Sequence, residues 1–549
     1  MLAALLLILA IAPARALDNG LGRTPLLGFN SWNFFACNVN ETLMMATMDF
    51  FVTTGLRDAG YKMVSVDDCW AGSRAADGTI EADPASFPSG MAALAAYAHA
   101  RGLQFGLYSS NSPKTCDQRP GSFGYEAMDA STYAAWGVDL LKYDNCGDQN
   151  VIGPPERGYA VMRDALNATG RPIFFAACEW AVDFPSTWMA GVANTWRTTY
   201  DIQNMWECIV PHLDWQNVFA DFFGPGGFGD MDILEVGNGV LTAAESVSHF
   251  SLWAAMKSPL LIGCALSSAD CQSNLTVFLN AEVLAVNQDA LGKPARRVAA
   301  SGNAGVPVGK SGTCGTEELA QNTVLAPCDA ASPLQRWTRL ANGTLLLGAT
   351  GECLQLDSGQ GGHCSQAWTV WTNNVASGLC DDPASDCGSR QQLWTYTPEG
   401  TLVNNASQQC LTVHAGGMHN VGAWPCAQAQ AGLQTWDFVP GTGQFISSAA
   451  PPGGGEAKFC LARTPDVRGG AAEVWAGPLA NGDTVVILFN RNMPAAANIS
   501  ATWADLGFSP AATYAVRDLW LHQALAPATG AITLPVEYHG VRVLRLTPA

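Results

Sequence analysis

Charge is scarce in this chain. Only 14% of its 549 residues are Asp, Glu, Lys or Arg, and 28 basic residues face 47 acidic ones. A net charge of −19 argues against nucleic acid as a partner, because that affinity rests on Lys and Arg neutralising phosphates. The same deficit disfavours an anionic membrane surface. Histidine is sparse too: the 8 His are scattered, and no pair has zinc-ligand spacing. No Gly-x-Ser-x-Gly nucleophile turn is present. Gly224 to Gly229 is the one Gly-rich candidate for a phosphate cradle, but no helical pattern follows it, so it reads as a tight loop. Beyond the N-terminal segment, no apolar run is long enough to cross a bilayer.

What is present is apolar bulk and sulfur. Hydrophobic residues make up 48% of the chain, alongside 56 Gly, 18 Trp and 17 Cys. The length allows two to four domains. Residues 1–16 read as a secretory signal: Leu2 to Ile11 is apolar and short, Pro13 would break a helix, and Ala14-Arg15-Ala16 supplies a small-x-small cleavage site. Leu546-Thr547-Pro548-Ala549 carries no retention signal. The expected location is therefore secreted, or lysosome or vacuole through the secretory pathway. That route makes the cysteines a disulfide framework rather than a metal site. Sequons at Asn40, Asn167, Asn274, Asn342, Asn405 and Asn498 agree with it.

From Leu26 to Asn287 the chain alternates strand and helix eight times, with strands near 26–31, 61–67, 103–109, 138–144, 172–178, 193–199, 231–235 and 259–263. Met91, Leu94, Ala95 and Ala98 recur at i, i+3, i+4, i+7, and the stretches 41–56 and 242–256 behave alike. Eight alternations over this length predict an α/β (β/α)8 TIM barrel at 17–292. In such a barrel the residues that end the strands converge on one rim. Those ends are rich in acids and aromatics: Trp32, Asp67 and Asp68, Tyr108, Lys142 and Asp144, Glu179 and Trp180, Arg197 with Asp201 beyond, then Asp230 and Asp232.

Aromatic faces stack on pyranose rings, and carboxylates and cations bind fixed hydroxyls through charge-assisted hydrogen bonds. Two carboxylates also supply glycoside hydrolysis, one attacking the anomeric carbon and one protonating the leaving oxygen. Lys142, two residues from Asp144 on the same strand face, helps keep a nucleophile ionised. Crowded carboxylates raise the pKa of an acid. An acidic rim holding Mg²⁺ or Ca²⁺ is the competing reading; the expectation here is no metal and no cofactor.

The composition shifts after Pro294. Residues 304–466 lack helical periodicity and hold nine cysteines, three Gln-x-Trp triplets (Gln335-Arg-Trp337, Gln392-Leu-Trp394, Gln434-Thr-Trp436) and three Cys-Leu pairs at Cys353, Cys410 and Cys460. This is an internal repeat of about 40–55 residues. From Glu473 onward, short alternating strands predict an antiparallel β-sandwich.

The stretches GFNSWN, VSVDDCW, LYSS, SFGYEAMDASTYAAWGVDLLKYDNC, ACEW, TWRTTYDI, LEVGNG and SHFSLWAAMKSPLLIGC, with AEVWAGPL and VRDLW near the end, resemble glycoside hydrolase family 27, the α-galactosidases. The likeness covers about 22–300 and 471–549. It implies a retaining exo-enzyme acting on terminal α-linked galactose, with Asp144 as nucleophile and Asp201 as general acid/base. It places Asp67 and Asp68 on O4 and O6, Lys142 on ring hydroxyls, Trp32 and Tyr108 in the pocket wall, and Glu179 and Arg197 near the 2-position. Cys146, Trp180 and Asp232 complete the expected substrate contacts. A bulky Glu179 favours a 2-hydroxyl over a 2-acetamido group.

On the family frame Cys116 pairs with Cys146 and Cys37 with Cys69, bracing catalytic loops. Cys264 and Cys271 close a short loop, and the pairing of Cys178 and Cys208 stays open. One departure stands out: the family reads Trp-Asn-Asp-Pro-Asp-Met-Leu where this chain has Phe228-Gly-Asp-Met-Asp232-Ile-Leu234, which predicts an altered wall near Asp232.

The repeat resembles a ricin-type β-trefoil whose Trp residues pack the core. Lys293 to Val298 resembles the first sandwich strand, and 472–477 resumes it. The expected organisation is signal 1–16, barrel 17–292, first sandwich strand 293–303, inserted trefoil 304–466 and the rest of the sandwich 467–549. Cys410 should pair with Cys426, Cys460 with Cys328, and Cys353 with Cys380 or Cys387. Glycan binding through the trefoil would use an Asp soon after Cys-Leu; the residues there are Asp357, His414 and Thr464. No oligomeric state is implied. Alternatives on the same scaffold are an α-N-acetylgalactosaminidase, a β-L-arabinopyranosidase or an inactive glycan-binding protein.

Overall fold

A computed structural model describes residues 17, 19–147, 155–180, 185–301, 321–349, 351–356, 375–379, 392–405, 407–413, 421–426, 433–448, 458–463, 470–493 and 495–549. These fall into two compact units, one from 19–319 with 466–549 and the other from 320–357 with 372–465. No helix among the described residues is long and apolar enough to cross a membrane.

The first unit begins with eight parallel strands: β1 (Leu27–Asn30), β2 (Met63–Ser65), β3 (Gln104–Ser110), β4 (Leu140–Asp144), β5 (Phe174–Cys178), β6 (Thr195–Arg197), β7 (Phe228–Asp230) and β8 (Leu260–Ile262). Each pairs with its sequence neighbour, and β8 pairs with β1. A parallel bridge from Leu234 to Ile262 completes the ring. This is the expected (β/α)8 barrel.

Its outer helices are α1 (Glu41–Thr53), α2 (Met91–His99), α3 (Glu126–Trp136), α4 (Pro155–Ala168), α5 (Trp206–Phe219) and α6 (Ala243–Ala255). Local chemistry sets their ends. The Asn40 side chain caps α1 by accepting from Leu43 N, and Thr242 with Glu245 forms a reciprocal capping box on α6. The buried face of α2 is Met91, Leu94, Ala95 and Ala98, the four residues the periodicity singled out.

Two details depart from the sequence reading. The connection from β5 to β6 contains only 3₁₀ turns, Pro185–Thr187 and Met189–Gly191, among its described residues. And β7 lies at 228–230 rather than 231–235. The tight loop at Gly224–Gly227, closed by reciprocal backbone bonds of 3.0 and 2.9 Å, feeds Phe228 directly into the sheet beside Thr195. Asp232 therefore sits beyond the strand, in the left-handed region at φ 81°.

The sandwich sheet runs β9 (Arg296–Ser301), β10 (Ala472–Pro478), β11 (Thr484–Asn490), β16 (Val541–Pro548), β13 (Thr513–Asp518) and β14 (Gln523–Thr529), with β12 (Ala497–Thr502) and β15 (Ala531–Val536) paired separately. The chain leaves at Ser301 and returns on the adjacent antiparallel strand, Ser301 opposite Ala472. The sequence reading lacked β14, whose residues are mostly exposed.

Barrel and sandwich share a buried ionic cluster. Arg491 donates to both carboxylate oxygens of Asp214 on α5, at 2.8 and 2.6 Å, and to Glu473 on β10 at 2.9 Å. Arg297 on β9 reaches Asp214 at 2.6 Å, and the Trp475 indole donates to Glu473 at 2.7 Å. Two cations and two anions with further donors offset the desolvation each would suffer alone.

The second unit is built on a threefold repeat. The indole N–H groups of Trp337, Trp394 and Trp436 donate to the carbonyls of Leu461, Leu354 and Leu411, at 3.1, 3.0 and 3.0 Å. Those leucines are the second members of the three Cys-Leu pairs, so each Gln-x-Trp is tied to a Cys-Leu from a different part of the chain. The three Trp residues lie in one hydrophobic cluster, as a trefoil core requires. Cys328 is bonded to Cys460 and Cys410 to Cys426, as expected. Cys353 is also disulfide-bonded, but Cys380 and Cys387 lie outside the described residues. The same holds for Asp357, His414 and Thr464.

Candidate active site

The parallel register builds the site row by row. Tyr108 on β3 lies beside Lys142 on β4, and Ser110, Asp144 and Cys178 form the next row across β3, β4 and β5. Lys142 and Asp144, two apart on one strand, face the same side. The Lys142 ammonium donates to Asp67 Oδ2 at 2.8 Å and sits 5.2 Å from the Tyr108 ring centroid. Asn30 donates to the same Asp67 oxygen at 2.7 Å, and the Asp68 N–H donates to the other at 2.9 Å. Asp68 accepts from Cys69 N at 2.7 Å and Asp117 N at 3.1 Å.

Asp144 is buried. Its Oδ2 accepts from the Tyr108 hydroxyl at 2.6 Å, while its Oδ1 has no hydrogen-bond partner among the described residues. The loops on either side are tied by the Cys116–Cys146 and Cys37–Cys69 disulfides, and Cys264–Cys271 closes the short loop after β8. All three pairings match the expectation. Cys178 is a free, buried thiol, whereas Cys208 is disulfide-bonded, so the two do not pair with each other.

Arg197 organises the opposite wall. Its guanidinium reaches Asp201 Oδ1 at 3.1 Å and Asp232 Oδ2 at 3.0 Å, and it donates to the carbonyls of Thr199 and Tyr200 at 3.1 and 2.5 Å. Asp232 also accepts from the N–H groups of Ile202 and Ile233, both at 2.8 Å. The left-handed backbone at Asp232, Trp180 (φ 55°) and Cys69 (φ 73°) marks strain gathered around the cavity. Asp201 differs from the other acids: its side chain is 68% exposed.

Burial dominates the electrostatics. It pushes the Asp144 carboxyl up to about 6; Lys142 pulls the other way, as expected, but is outweighed, and Asp67 adds to the rise. Asp230 is likewise pushed up to about 6 by burial against the pull of Arg197. Burial also raises Asp232 and Asp68. For Lys142, burial disfavours the ammonium, yet Asp67 and Asp144 hold its pKa well above the usual lysine range.

Apart from Asp230, these groups share one cavity of about 490 Å³. Trp32, Asp67, Asp68, Tyr108, Lys142, Asp144, Trp180, Arg197, Asp201 and Asp232 all line it. Two expected contacts do not. Cys146 is outside the lining, although its disulfide partner Cys116 is in the wall, and Glu179 is 1% exposed and outside the lining.

The sequence reading missed Gln203, Asn204, Glu235 and Asn238, which also line the cavity. Glu235 accepts from Asn33 at 2.7 Å and Asn238 at 2.5 Å, and burial pushes its carboxyl up to about 7. The signal available was its place in LEVGNG, just past the last barrel acids.

Among the described residues, two clusters hold metal-ligand atom types within 4.8 Å, Cys37–Cys69–Asp117 and Cys116–Asp144–Cys146, but in each the two sulfurs are joined in a disulfide and offer no thiolate.

Carboxylates on separate strand ends of a (β/α)8 barrel, balanced by lysine and arginine around a sugar-sized cavity, define the chain as a glycoside hydrolase. A family model for α-galactosidase A matches residues 24–289, one for the α-galactosidase C-terminal β-sandwich matches 469–546, and one for the ricin-type β-trefoil lectin domain matches 383–477. A probable α-galactosidase of Dictyostelium discoideum is 47% identical over 290 residues, 53% of this chain and 74% of that protein. α-Galactosidase 3 of Arabidopsis thaliana is 50% identical over 287 residues, 52% of this chain and 65% of that one. Among solved structures, α-galactosidase I from Mortierella vinacea superposes with a TM-score of 0.62 at 25% identity, covering 96% of this chain and 98% of that one. The chain belongs to the α-galactosidases of glycoside hydrolase family 27.

Proposed function

We propose that the protein removes terminal α-linked galactose from oligosaccharides or glycoconjugates by double displacement with retention. The observation that carries the reading is Asp144: a buried carboxylate at the end of β4 with one oxygen fixed by Tyr108 and the other without a hydrogen-bond partner among the described residues, in the cavity wall. That free oxygen attacks the anomeric carbon as the bond to the aglycone breaks. Asp201, exposed where a leaving group departs and water enters, gives its proton to the aglycone oxygen. In the second step Asp201 takes a proton from water, the water oxygen bonds to the anomeric carbon, and Asp144 is released.

Asp67, Asp68 and Lys142 form the polar floor suited to O4, O6 and the ring hydroxyls. The acceptors they present are held by neighbouring donors, so a sugar meets fixed geometry rather than mobile side chains. Glu179 and Arg197 remain the basis for preferring a 2-hydroxyl; Arg197 supports that directly from the wall, and Glu179 from behind it.

The test is release of nitrophenol from the α-galactoside and from the α-N-acetylgalactosaminide, with Asp144→Asn beside wild type. Galactoside turnover abolished by the substitution is expected. Preference for the acetamido substrate would overturn the specificity argument alone, and turnover of neither substrate would overturn the activity.

We also propose entry into the secretory pathway and glycan binding by the ricin-type region. Five disulfides among the described residues support an oxidising destination. The ricin-type family match supports a glycan ligand; retention of the protein on immobilised galactose or lactose tests it.

A further inference from the structure

Phe228 to Leu234 is the stretch where this chain leaves the family pattern, and one of its acids, Asp230, has no part in the proposed chemistry. Asp230 ends β7 and lies outside the lining of the substrate cavity. Its Oδ1 accepts from Asp232 N at 2.8 Å and closes a tight turn over Met231. The Met231 N–H in turn donates to the Ser258 hydroxyl at 2.9 Å, in the link between α6 and β8. Ser258 is fully buried and also outside the cavity lining. Where the family pattern has proline, a ring would hold φ at about −65° and no N–H would exist. Met231 has no such ring, and its N–H takes an anchor that proline could not use.

This turn delivers Asp232 in the left-handed region at φ 81°. A residue other than glycine stays there only where its surroundings over-determine it. Besides the bond from its N–H to Asp230, the Asp232 carbonyl accepts from the Trp253 indole at 3.0 Å, and Oδ1 accepts from Ile233 N at 2.8 Å. Oδ2 then faces the neighbouring loop. It accepts from Ile202 N at 2.8 Å and pairs with Arg197 at 3.0 Å. Ile202 directly follows Asp201, and Arg197 donates to Asp201 Oδ1 at 3.1 Å. The Asp201 side chain is 68% exposed, so burial does little to aim it. Its backbone neighbour and its cation are both held from Asp232.

We propose that Asp230 and Ser258 are positioning residues for the general acid/base: they fix the left-handed turn at Asp232, and Asp232 sets Arg197 and the 201–202 segment so that Asp201 meets the leaving oxygen. The proposal rests on the reading of Asp201 as the proton donor. Neither Asp230 nor Ser258 touches substrate.

The test compares two leaving groups by kcat/KM, which reports the first displacement. Nitrophenolate departs with little help, whereas the glucose of galactosyl-α-1,6-glucose needs a proton. Asp230→Ala leaves the buried Asp232 N–H without its acceptor. The constant for the disaccharide should fall about 10- to 100-fold, and that for nitrophenyl α-galactoside about fivefold less. Asp230→Asn keeps an oxygen for the same N–H and should recover most of the loss. Equal losses on the two substrates, or no recovery in Asp230→Asn, would overturn the positioning role, the first by pointing to general disruption and the second to the charge.

Ser258→Ala is the milder variant should Asp230→Ala not fold. It is expected to move the same ratio about fivefold, and to move it no further in a Met231→Pro background, where the N–H is already gone. An unchanged ratio, or the same effect in both backgrounds, would remove Ser258 from the proposal. Asp201→Asn on the two substrates separates the levels. If it spares the disaccharide as much as the nitrophenyl galactoside, the reading of Asp201 falls. If it penalises the disaccharide and Asp230→Ala does not, this inference alone falls.

Discussion

The Tyr108 hydroxyl donates to Asp144 Oδ2 at 2.6 Å, and it does so from a side chain that is itself fully enclosed. The bond holds one oxygen of the carboxylate; the other has no hydrogen-bond partner among the described residues. It also favours the ionised form, opposing the burial that pushes the Asp144 carboxyl up to about 6. Tyr108→Phe removes the donor and little else. A hydrogen bond to a charged group contributes about 1.5–3 kcal/mol, so kcat/KM should drop roughly 10- to 100-fold. The acidic limb of its pH profile should move to higher pH, because the carboxylate loses a stabilising donor. Activity lost with no movement of the limb would assign Tyr108 a purely steric part.

The wild-type profile follows from the same group. The proposed attack by Asp144 needs the carboxylate, and its pKa in the free enzyme is pushed up to about 6. kcat/KM should therefore rise with pH through a limb near that value. Bound galactoside alters the surroundings of Asp144, so kcat need not share the limb. Profiles of both constants for a nitrophenyl galactoside check this.

Stability should trade against that ionisation. Asp144 and Asp230 bind protons more tightly in the folded protein, each near 6, than in an unfolded chain, where Asp titrates at about 3.9. Between those values the folded state holds more protons, so stability from these groups is fully present below about pH 4 and is lost as pH rises through about 6. Asp144→Asn carries no charge to desolvate. Its Tm should exceed that of wild type at pH 7, with the gain shrinking towards pH 4. An equal gain at both pH values would point to packing instead.

Arg491 is expected to be the least replaceable residue of the barrel–sandwich contact. It bonds Asp214 at 2.8 and 2.6 Å and Glu473 at 2.9 Å, whereas Arg297 reaches Asp214 at 2.6 Å and Glu473 only at 3.5 Å. Arg491→Met would leave two acids sharing only Arg297 and should destabilise the protein by about 3–5 kcal/mol. Denaturant unfolding measures this. A loss under about 1 kcal/mol would mean that water reaches the cluster.

In the ricin-type unit, Trp394→Phe keeps the ring packed in the core and removes the donor to the Leu354 carbonyl at 3.0 Å. The carbonyl then loses that donor, and this unit should lose about 0.5–1.5 kcal/mol. Nitrophenyl galactoside turnover per folded molecule should not change. Calorimetry, with the activity assay alongside, separates the two.

Periodicity and strand-end chemistry carried most of this architecture in the sequence. The i, i+3, i+4, i+7 series from Met91 named the buried face of α2, and the run ending in Lys142 and Asp144 named the central strand. Where the reading slipped, a physical reason is visible. Residues 228–236 are buried throughout, so burial alone does not mark which of them pair. The apolar alternation of Met231, Ile233 and Leu234 masked a strand that Gly227 and Gly229 made look like a loop. Strand β14 escaped because its Ala and Pro residues form an exposed edge, where neither branching nor alternation is needed. Glu235 and Asn238 escaped because their place in the wall comes from loops meeting in space, and no spacing along the chain reports that. The buried Glu179 shows the converse limit: a motif fixes a residue's neighbourhood but not whether it reaches the cavity surface.

The pairing of β9 with β10 also has a consequence for synthesis. Ser301 emerges from the ribosome about 170 residues before its partner Ala472. At about 5–20 residues per second, that is a wait of roughly 10–30 s. Through that interval the barrel's last strand, β8, is already available to close the ring, while Arg297 waits beside Asp214 for the glutamate that shares it. The nascent enzyme is therefore expected to mature in a fixed order: catalytic barrel first, ricin-type unit second, and sandwich sheet last. The final step joins the two ends of the insertion.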